Sequence, residues 1–310
     1  MLTSVLLPVY NGANYIEESI LSVLKQKGDW ELIIQDDCST DDTEVICEKY
    51  LSSRIKYFKN EKSCKCWGTL NAAVQHSNGN LLRLFSHDDI MLEDDLIISE
   101  NFLNENQDIG ICFTNYDKID NDGKITGSSF DYVERNKALP NKMTGNEAAW
   151  HLYKWGCISG SQSNITIRKE IYDAIGGFNG NLVYSGDFDL LVRAAIPYGL
   201  GYCREKTCAI RFHNFQTSNV GLRSSLRNTE MILILDFLYL NLDEEHKRNA
   251  GKIFSKIYGY QMINMPIKSL AALKFKPVKE FYKIFGAEKT LLSIYNLFLN
   301  KIFMRFKKLI

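Results

Sequence analysis

Three pairs of acids and one late histidine are the residues whose type and spacing suit chemistry: Asp36-Asp37, Asp88-Asp89, Asp187 with Asp189, and His213. The second pair breaks an apolar run, LLRLFSHDDIML at 81–92. Adjacent carboxylates at the end of a buried strand repel each other and resist desolvation, so something must offset that cost. A divalent cation is one such partner, because hard cations take oxygen ligands and bridge to phosphate. Asp187 and Asp189 open a run with helical spacing, GDFDLLVRA. The macrodipole favours acids in a first turn, and it also helps keep a general base ionised. His213, in RFHNFQTSN, is a candidate ligand, although lone histidines are more often ordinary surface or core residues.

The elements that must position these residues follow from periodicity. Ser4–Val9 (SVLLPV) is a short apolar run suited to a strand buried on both faces, ending at Tyr10-Asn11-Gly12. Asn14 and Glu17 have capping-box spacing before Ile16, Ile20, Val23 and Leu24. Trp30–Gln35 predicts a second strand that stops at DDCSTDDT (36–43). A helix over Thr43–Leu51, a strand at Ile55–Phe58, a helix through Asn71–His76 and a strand at Leu81–Phe85 complete a β-α-β-α-β-α-β order, which implies a parallel sheet. Ligands of such sheets sit beyond the carboxyl ends of the strands, where Tyr10-Asn11, Asp36-Asp37 and Asp88-Asp89 all fall. Turn chemistry accounts for any one of these clusters alone. Farther on, Gly110–Phe113 and Ile165–Arg168 are strand-like, and Asn146–Lys154 and Lys169–Ala174 helix-like. The stretch 115–145 is expected to be irregular, with a hairpin turn at Asn121-Asp122-Gly123.

The 310 residues are 45% hydrophobic and 24% charged, ordinary for a soluble globular chain. Net charge is zero but uneven: residues 268–310 carry ten Lys/Arg against two Asp/Glu, so this tail is +8 and the body −8. None of the eight cysteines has paired C-x2-C zinc spacing, and reduced thiols in a cytoplasmic protein are expected. The opening lacks the basic segment of a signal peptide, and no stretch of 18 apolar residues predicts a membrane span. Neither G-x-G-x-x-G nor G-x-x-x-x-G-K-[ST] is present, so phosphates must be neutralised without a glycine cradle.

In order, the chain has PVYN (8–11), DDxSxDxT (36–43), the strand-end pair Asp88-Asp89, GGF (176–178), GDFDLLVRA (186–194) and His213. This ordered set resembles the inverting nucleotide-sugar glycosyltransferases of family 2, over about Ser4 to Asn219. The resemblance implies an α/β, GT-A (Rossmann-like) mostly parallel sheet flanked by helices. It implies a catalytic domain at 1–220, with a nucleotide-binding half (1–113) and an acceptor half (114–220), followed by a helical region at 221–310. It also implies that Pro8, Tyr10, Asp36, Asp37, Asn71 and Asp88 bind a UDP-sugar, with Asp37 accepting from uracil N3–H and Asp36 at the ribose or holding the turn. Asp88, Asp89 and His213 would hold Mn²⁺ or Mg²⁺, and Asp187 would be the catalytic base. The chain departs from the pattern at Ser86, Leu70 and Gly186, where the family usually has an acid, an arginine and an acid. Arg211 or Arg204 are candidates for the missing cation. The processive Q-x-x-R-W signature is absent, which favours transfer of a single sugar.

At the C-terminus, Leu291, Tyr295, Phe298, Ile302, Phe306 and Leu309 follow helical spacing among Lys and Arg. This suits an interfacial helix on an anionic membrane or one packed on the body or on a second copy of the chain. Glu230–Leu240 is more apolar and is expected to dock on the body. Aromatics are not interleaved with basic residues as nucleic-acid binders require, so no nucleic-acid partner is expected. The expected activity is metal-dependent, inverting transfer from a UDP-sugar to a lipid-linked glycan hydroxyl at the cytoplasmic face of a membrane. The alternatives are a sugar-nucleotide pyrophosphorylase and an inactive glycosyltransferase-like binding module.

Overall fold

A computed structural model of the chain describes residues 1–213 and 225–257. The basic segment 268–310, with its expected interfacial helix, lies outside them. β1 (Thr3–Val9) is buried along its whole length and lies parallel between β2 (Trp30–Asp36) and β4 (Leu81–Leu84). β3 (Ile55–Lys59) flanks β2, also parallel. Beyond β4 come β9 (Ile165–Arg168), β6 (Ile111–Ile119), β10 (Leu200–Arg211) and the short β5 (Ile90–Met91). β9 is antiparallel to both neighbours, whereas β6 and β10 are parallel. β7 (Ile125–Ser128) returns against β6, and β8 (Lys142–Met143) against β10.

Alternation along the strands sends side chains to two cores. Val5, Leu7, Leu32 and Ile34 pack on one face against α1 (Ile16–Leu24), α2 (Thr43–Glu48) and α4 (Asp95–Glu105). Leu6, Ile33, Leu82 and Phe113 pack on the other against α3 (Lys65–Gln75), α6 (Gly145–Trp155) and α8 (Gly186–Tyr198). Each such side chain contributes about 1.5–3 kcal/mol through burial. Two short helices, α5 (Val133–Ala138) and α7 (Lys169–Ala174), complete this part. α9 (Ser225–Leu240) then packs on α6 and α8, burying Ile234, Leu235 and Leu238 as expected, and α10 (Glu244–Ile257) packs on α6.

Between the cores, Arg83 of β4 and Asp95 of α4 form a fully buried ion pair at 2.6 Å. The same guanidinium donates to the carbonyls of Leu84 and Ile165, joining β4, β9 and α4 behind the strand ends.

Two expectations are corrected, and one strand appears that no sequence signal indicated. Asn14 and Glu17 form no capping box: α1 has no side-chain cap, because the loop before it is held by the β2 turn. Residues 115–119 are strand, since their polar side chains find partners on β10: Asn115 donates to the Tyr202 hydroxyl and the Arg204 carbonyl, and Asp117 pairs with Lys206. Leu200–Arg211, which has no clean alternation, is the longest strand, and its charged middle coincides with irregular register near Lys206. The 121–123 turn forms as expected, with Gly123 at φ +79°.

Candidate active site

The register that sets Val9 opposite Asp36 brings the ends of β1 and β2 together. Asn11, Gly12 and Ala13 donate their backbone N–H groups to Ser39 Oγ (2.8 Å), Thr43 Oγ1 (2.9 Å) and Asp41 Oδ2 (3.0 Å). The DDCSTDDT block is therefore a clamp on the first loop. Asp36 is fully buried and accepts from the Ser39 N–H and the Tyr57 hydroxyl, so it holds the turn. Asp37 accepts from Asn60 Nδ2, the Cys64 N–H, Ser63 Oγ and the Lys65 N–H, all within 3.0 Å. Burial works against its ionisation, but these donors hold its carboxyl below the usual range. Four donors match the capacity of a carboxylate, and they include the N–H groups that start α3. Pro8 is buried within β1, whereas Tyr10 is the first exposed side chain beyond it.

The adjacent acids after β4 point in different directions. Asp88 Oδ2 lies 3.0 Å from His213 Nε2, with both side chains 12% exposed. Burial raises its proton affinity, but the imidazole hydrogen bond and the charges of His87 and His213 bring its pKa below the usual value. Asp89 is turned inward and accepts from the Arg211 N–H at 2.8 Å. Burial, then the neighbouring Asp88 charge, pushes its pKa well above the ordinary range, against the Ser163 and Arg211 donors.

The Arg211 guanidinium donates to the Asp88, Asp120 and Asn121 carbonyls and to Glu18. Arg204 is tied to Asn141, Asn136 and Leu139. Both arginines brace the fold, which corrects the expectation that either supplies the open cation. Ser86 joins a neutral network with Gln162 and Ser163.

Among the described residues no three His, Cys, Asp or Glu side chains gather as a metal site. Asp88 and His213 form a two-residue donor set, and Asp89 does not join it. Such a set fits a cation of the Mg²⁺ type, which binds one or two protein ligands and takes the rest from phosphate and water.

Asp187 stands in the first turn of α8, and its Oδ1 accepts from the Phe188 N–H at 2.8 Å. Burial raises its pKa to about 6; the Phe188 N–H and Arg227 oppose this, while Glu230 adds to it. The expected acid at 186 has no room. A Cβ on Gly186 would lie 2.5 Å from the Trp67 ring, which is itself stacked on Phe178. Asn71 accepts from the Tyr172 hydroxyl and the Phe178 N–H and donates to the Phe178 carbonyl, so its amide anchors the GGF turn. Gly177 sits there at φ +66°, where a Cβ would press on Asn71 and Tyr172. Asp189 pairs with Arg193, which reaches the carbonyls of Ile175 and Gly177 and ties α8 to the same turn.

Gln162 links α3 to the end of β4: its amide lies 4.0 Å from Cys66 Sγ and donates to Ser86 Oγ at 2.9 Å. Cys66, in the first turn of α3, has its pKa pushed to about 12 by burial, reinforced by the charges of Asp187, Asp88 and Asp37. Glu230 of α9 is a site neighbour that the sequence reading did not single out. The sequence marks it only as one of two acids, with Asp236, in an otherwise apolar helical run.

Against known proteins, the model of the family described as Glycosyl transferase family 2 matches residues 4–176. An uncharacterized glycosyltransferase of Rickettsia felis is 32% identical over 251 residues, 79% of this chain and 39% of the relative. The chain thus spans about two fifths of that relative's length. The UDP-Glc:alpha-D-GlcNAc-diphosphoundecaprenol beta-1,3-glucosyltransferase WfgD of Escherichia coli is 33% identical over 146 residues, covering 47% of this chain and 56% of WfgD. In fold, the chain resembles S. aureus TarS 1-349 in complex with UDP-GlcNAc, with a TM-score of 0.65, 18% identity, and 94% and 81% of the two chains covered. With its sheet order, its strand-end clamp and a family model covering more than half its length, this chain belongs to glycosyl transferase family 2 and has the GT-A fold.

Proposed function

We propose that this chain is an inverting, metal-dependent transferase that moves one sugar from a UDP-sugar to a hydroxyl of a lipid-linked glycan. The observation that carries this reading is geometric: α3 gives its first N–H groups to Asp37 and packs its Trp67 on Gly186, next to Asp187 in the first turn of α8, while Asp88 beyond β4 pairs with His213 at 3.0 Å. In this reading an acceptor oxygen attacks the anomeric carbon as Asp187 takes its proton. The diphosphate leaves from the opposite face, so one displacement inverts the configuration. Asp187 contributes about 10²–10⁴-fold to the rate, the range of a positioned base. When bound, a cation at Asp88 and His213 would offset charge on the leaving diphosphate.

Tyr10 lies open beside the first loop and offers a face to the base. Asp37, Asp36 and Asn71 act by setting the loops around the donor, because their polar atoms are taken up within the protein. The name of WfgD supports a lipid diphosphate acceptor. Such an acceptor suits the cytoplasmic membrane face, where a +8 tail meets anionic headgroups. Among the described residues no helix is long and apolar enough to cross a membrane.

The test is a thermal-stability screen of nucleoside diphosphates and nucleotide sugars with Mn²⁺. A ligand at 100 times its Kd stabilises by about 2.7 kcal/mol. UDP compounds are expected to raise Tm; no response to any of them would remove the reading.

A further inference from the structure

The family match ends at residue 176, yet a helix beyond it reaches into the site. Glu230 of α9 is fully buried, and its carboxylate accepts three consecutive backbone N–H groups: Val183 on Oε1 at 2.7 Å, and Tyr184 and Ser185 on Oε2 at 3.0 and 2.9 Å. A buried carboxylate is costly unless its oxygens are hydrogen-bonded, and here the donors belong to the segment that delivers the chain into α8. Ser185 is the residue before α8, and Asp187 lies two positions on. We infer that Glu230 is a positioning residue for the transfer reaction, a latch by which α9 fixes the 183–185 segment and so the placement of Asp187. This inference rests on the transferase reading only for its kinetic consequences; the latch itself does not depend on it.

The local sequence explains why a latch is needed. Gly186 gives the start of α8 no side chain to anchor it, because the Trp67 ring fills that space. The segment before it runs through Gly180, and Ser185 makes no side-chain cap. Glu230 supplies both the acceptors for this turn and a negative charge facing Asp187, which a family acid at 186 would otherwise provide. The other groups facing Asp187 are Arg227 on α9 and the thiols of Cys66 and Cys157, both kept neutral by burial.

Two variants separate position from charge. Glu230→Gln retains one oxygen for Tyr184 and Ser185 but removes the charge; Glu230→Ala removes both. Hydrogen exchange of the 183–185 amides is expected to speed up at least tenfold in Glu230→Ala, with exchange in β1 and β2 unchanged. Unaltered exchange there overturns the latch, whatever the activity of the protein. In transfer assays Glu230→Ala should lose about 10–100-fold in kcat, the scale of a small misplacement of a reacting group, with donor KM little changed. In Glu230→Gln the acid limb of the kcat–pH profile should move to lower pH, because loss of a nearby negative charge favours ionised Asp187. A kcat in Glu230→Ala that stays close to the parent's while the 183–185 amides exchange faster, or a loss that falls on donor KM instead of kcat, would reduce Glu230 to a fold support and overturn the positioning role. If the unmodified protein transfers no sugar while the amides respond, the transferase reading fails and the latch stands.

Discussion

Asp187 gives the most quantitative expectation. With its pKa at about 6, the carboxylate is roughly 90% ionised at pH 7, half at pH 6 and about 10% at pH 5. An aspartate at the ordinary 3.8 would still be over 90% ionised at pH 5, by the same relation. If Asp187 is the base, kcat at saturating donor should fall about tenfold between pH 7 and pH 5, following one group near pH 6. Asp187→Asn should lower kcat about 10²–10⁴-fold and abolish that limb. The same shift has a signed consequence for stability. A carboxyl whose folded pKa is raised binds its proton more tightly in the folded state, so stability declines as pH rises from about 4 to 6. The displacement from 3.8 to about 6 amounts to roughly 2–3 kcal/mol at pH 7, a cost that Asp187→Asn removes. The variant should therefore melt at a higher temperature than the parent at pH 7 and at a similar one at pH 4. A flat kcat between pH 5 and 7 in folded protein, or an acid limb surviving in Asp187→Asn, would refute the assignment.

Asp88→Asn and His213→Ala should each raise the free Mn²⁺ seen by electron paramagnetic resonance in mixtures with UDP by several-fold; unchanged Mn²⁺ uptake in both would move the cation elsewhere. Arg83→Ala leaves Asp95 as an uncompensated buried charge, so urea unfolding should show a loss of about 3–5 kcal/mol. Removing both partners as Arg83→Met with Asp95→Leu should recover much of that loss. Gly186→Ala places a methyl against the Trp67 ring and should cost about 1–3 kcal/mol, again read in urea.

The strands of residues 1–113 were legible where they are mostly apolar and ended by turn residues, as in β1 and, with single polar interruptions, β2 and β4, a signal that burial on both faces imposes. Asp88 and Asp187 could be picked out for a related reason: an acid at a strand end or in a first helical turn is conspicuous against apolar neighbours. β10 was not legible. Its charged middle, Arg204–Lys206, is exposed and interrupts any alternation, and only pairing along β6 makes it a strand. The roles of Asp37 and Asn71 were likewise hidden, since the groups they bind come from residues far along the chain, Asn60 to Lys65 for one and Tyr172 with Phe178 for the other. Glu230 illustrates the same limit: nothing near it in sequence indicates that it closes on residues 183–185.

Calorimetric titration of UDP into the purified chain, with and without Mn²⁺, tests the central claim most directly. The account predicts saturable, one-to-one binding that depends on the cation and weakens in Asp88→Asn. Binding of equal strength without any divalent ion, or no heat at all in its presence, would contradict it.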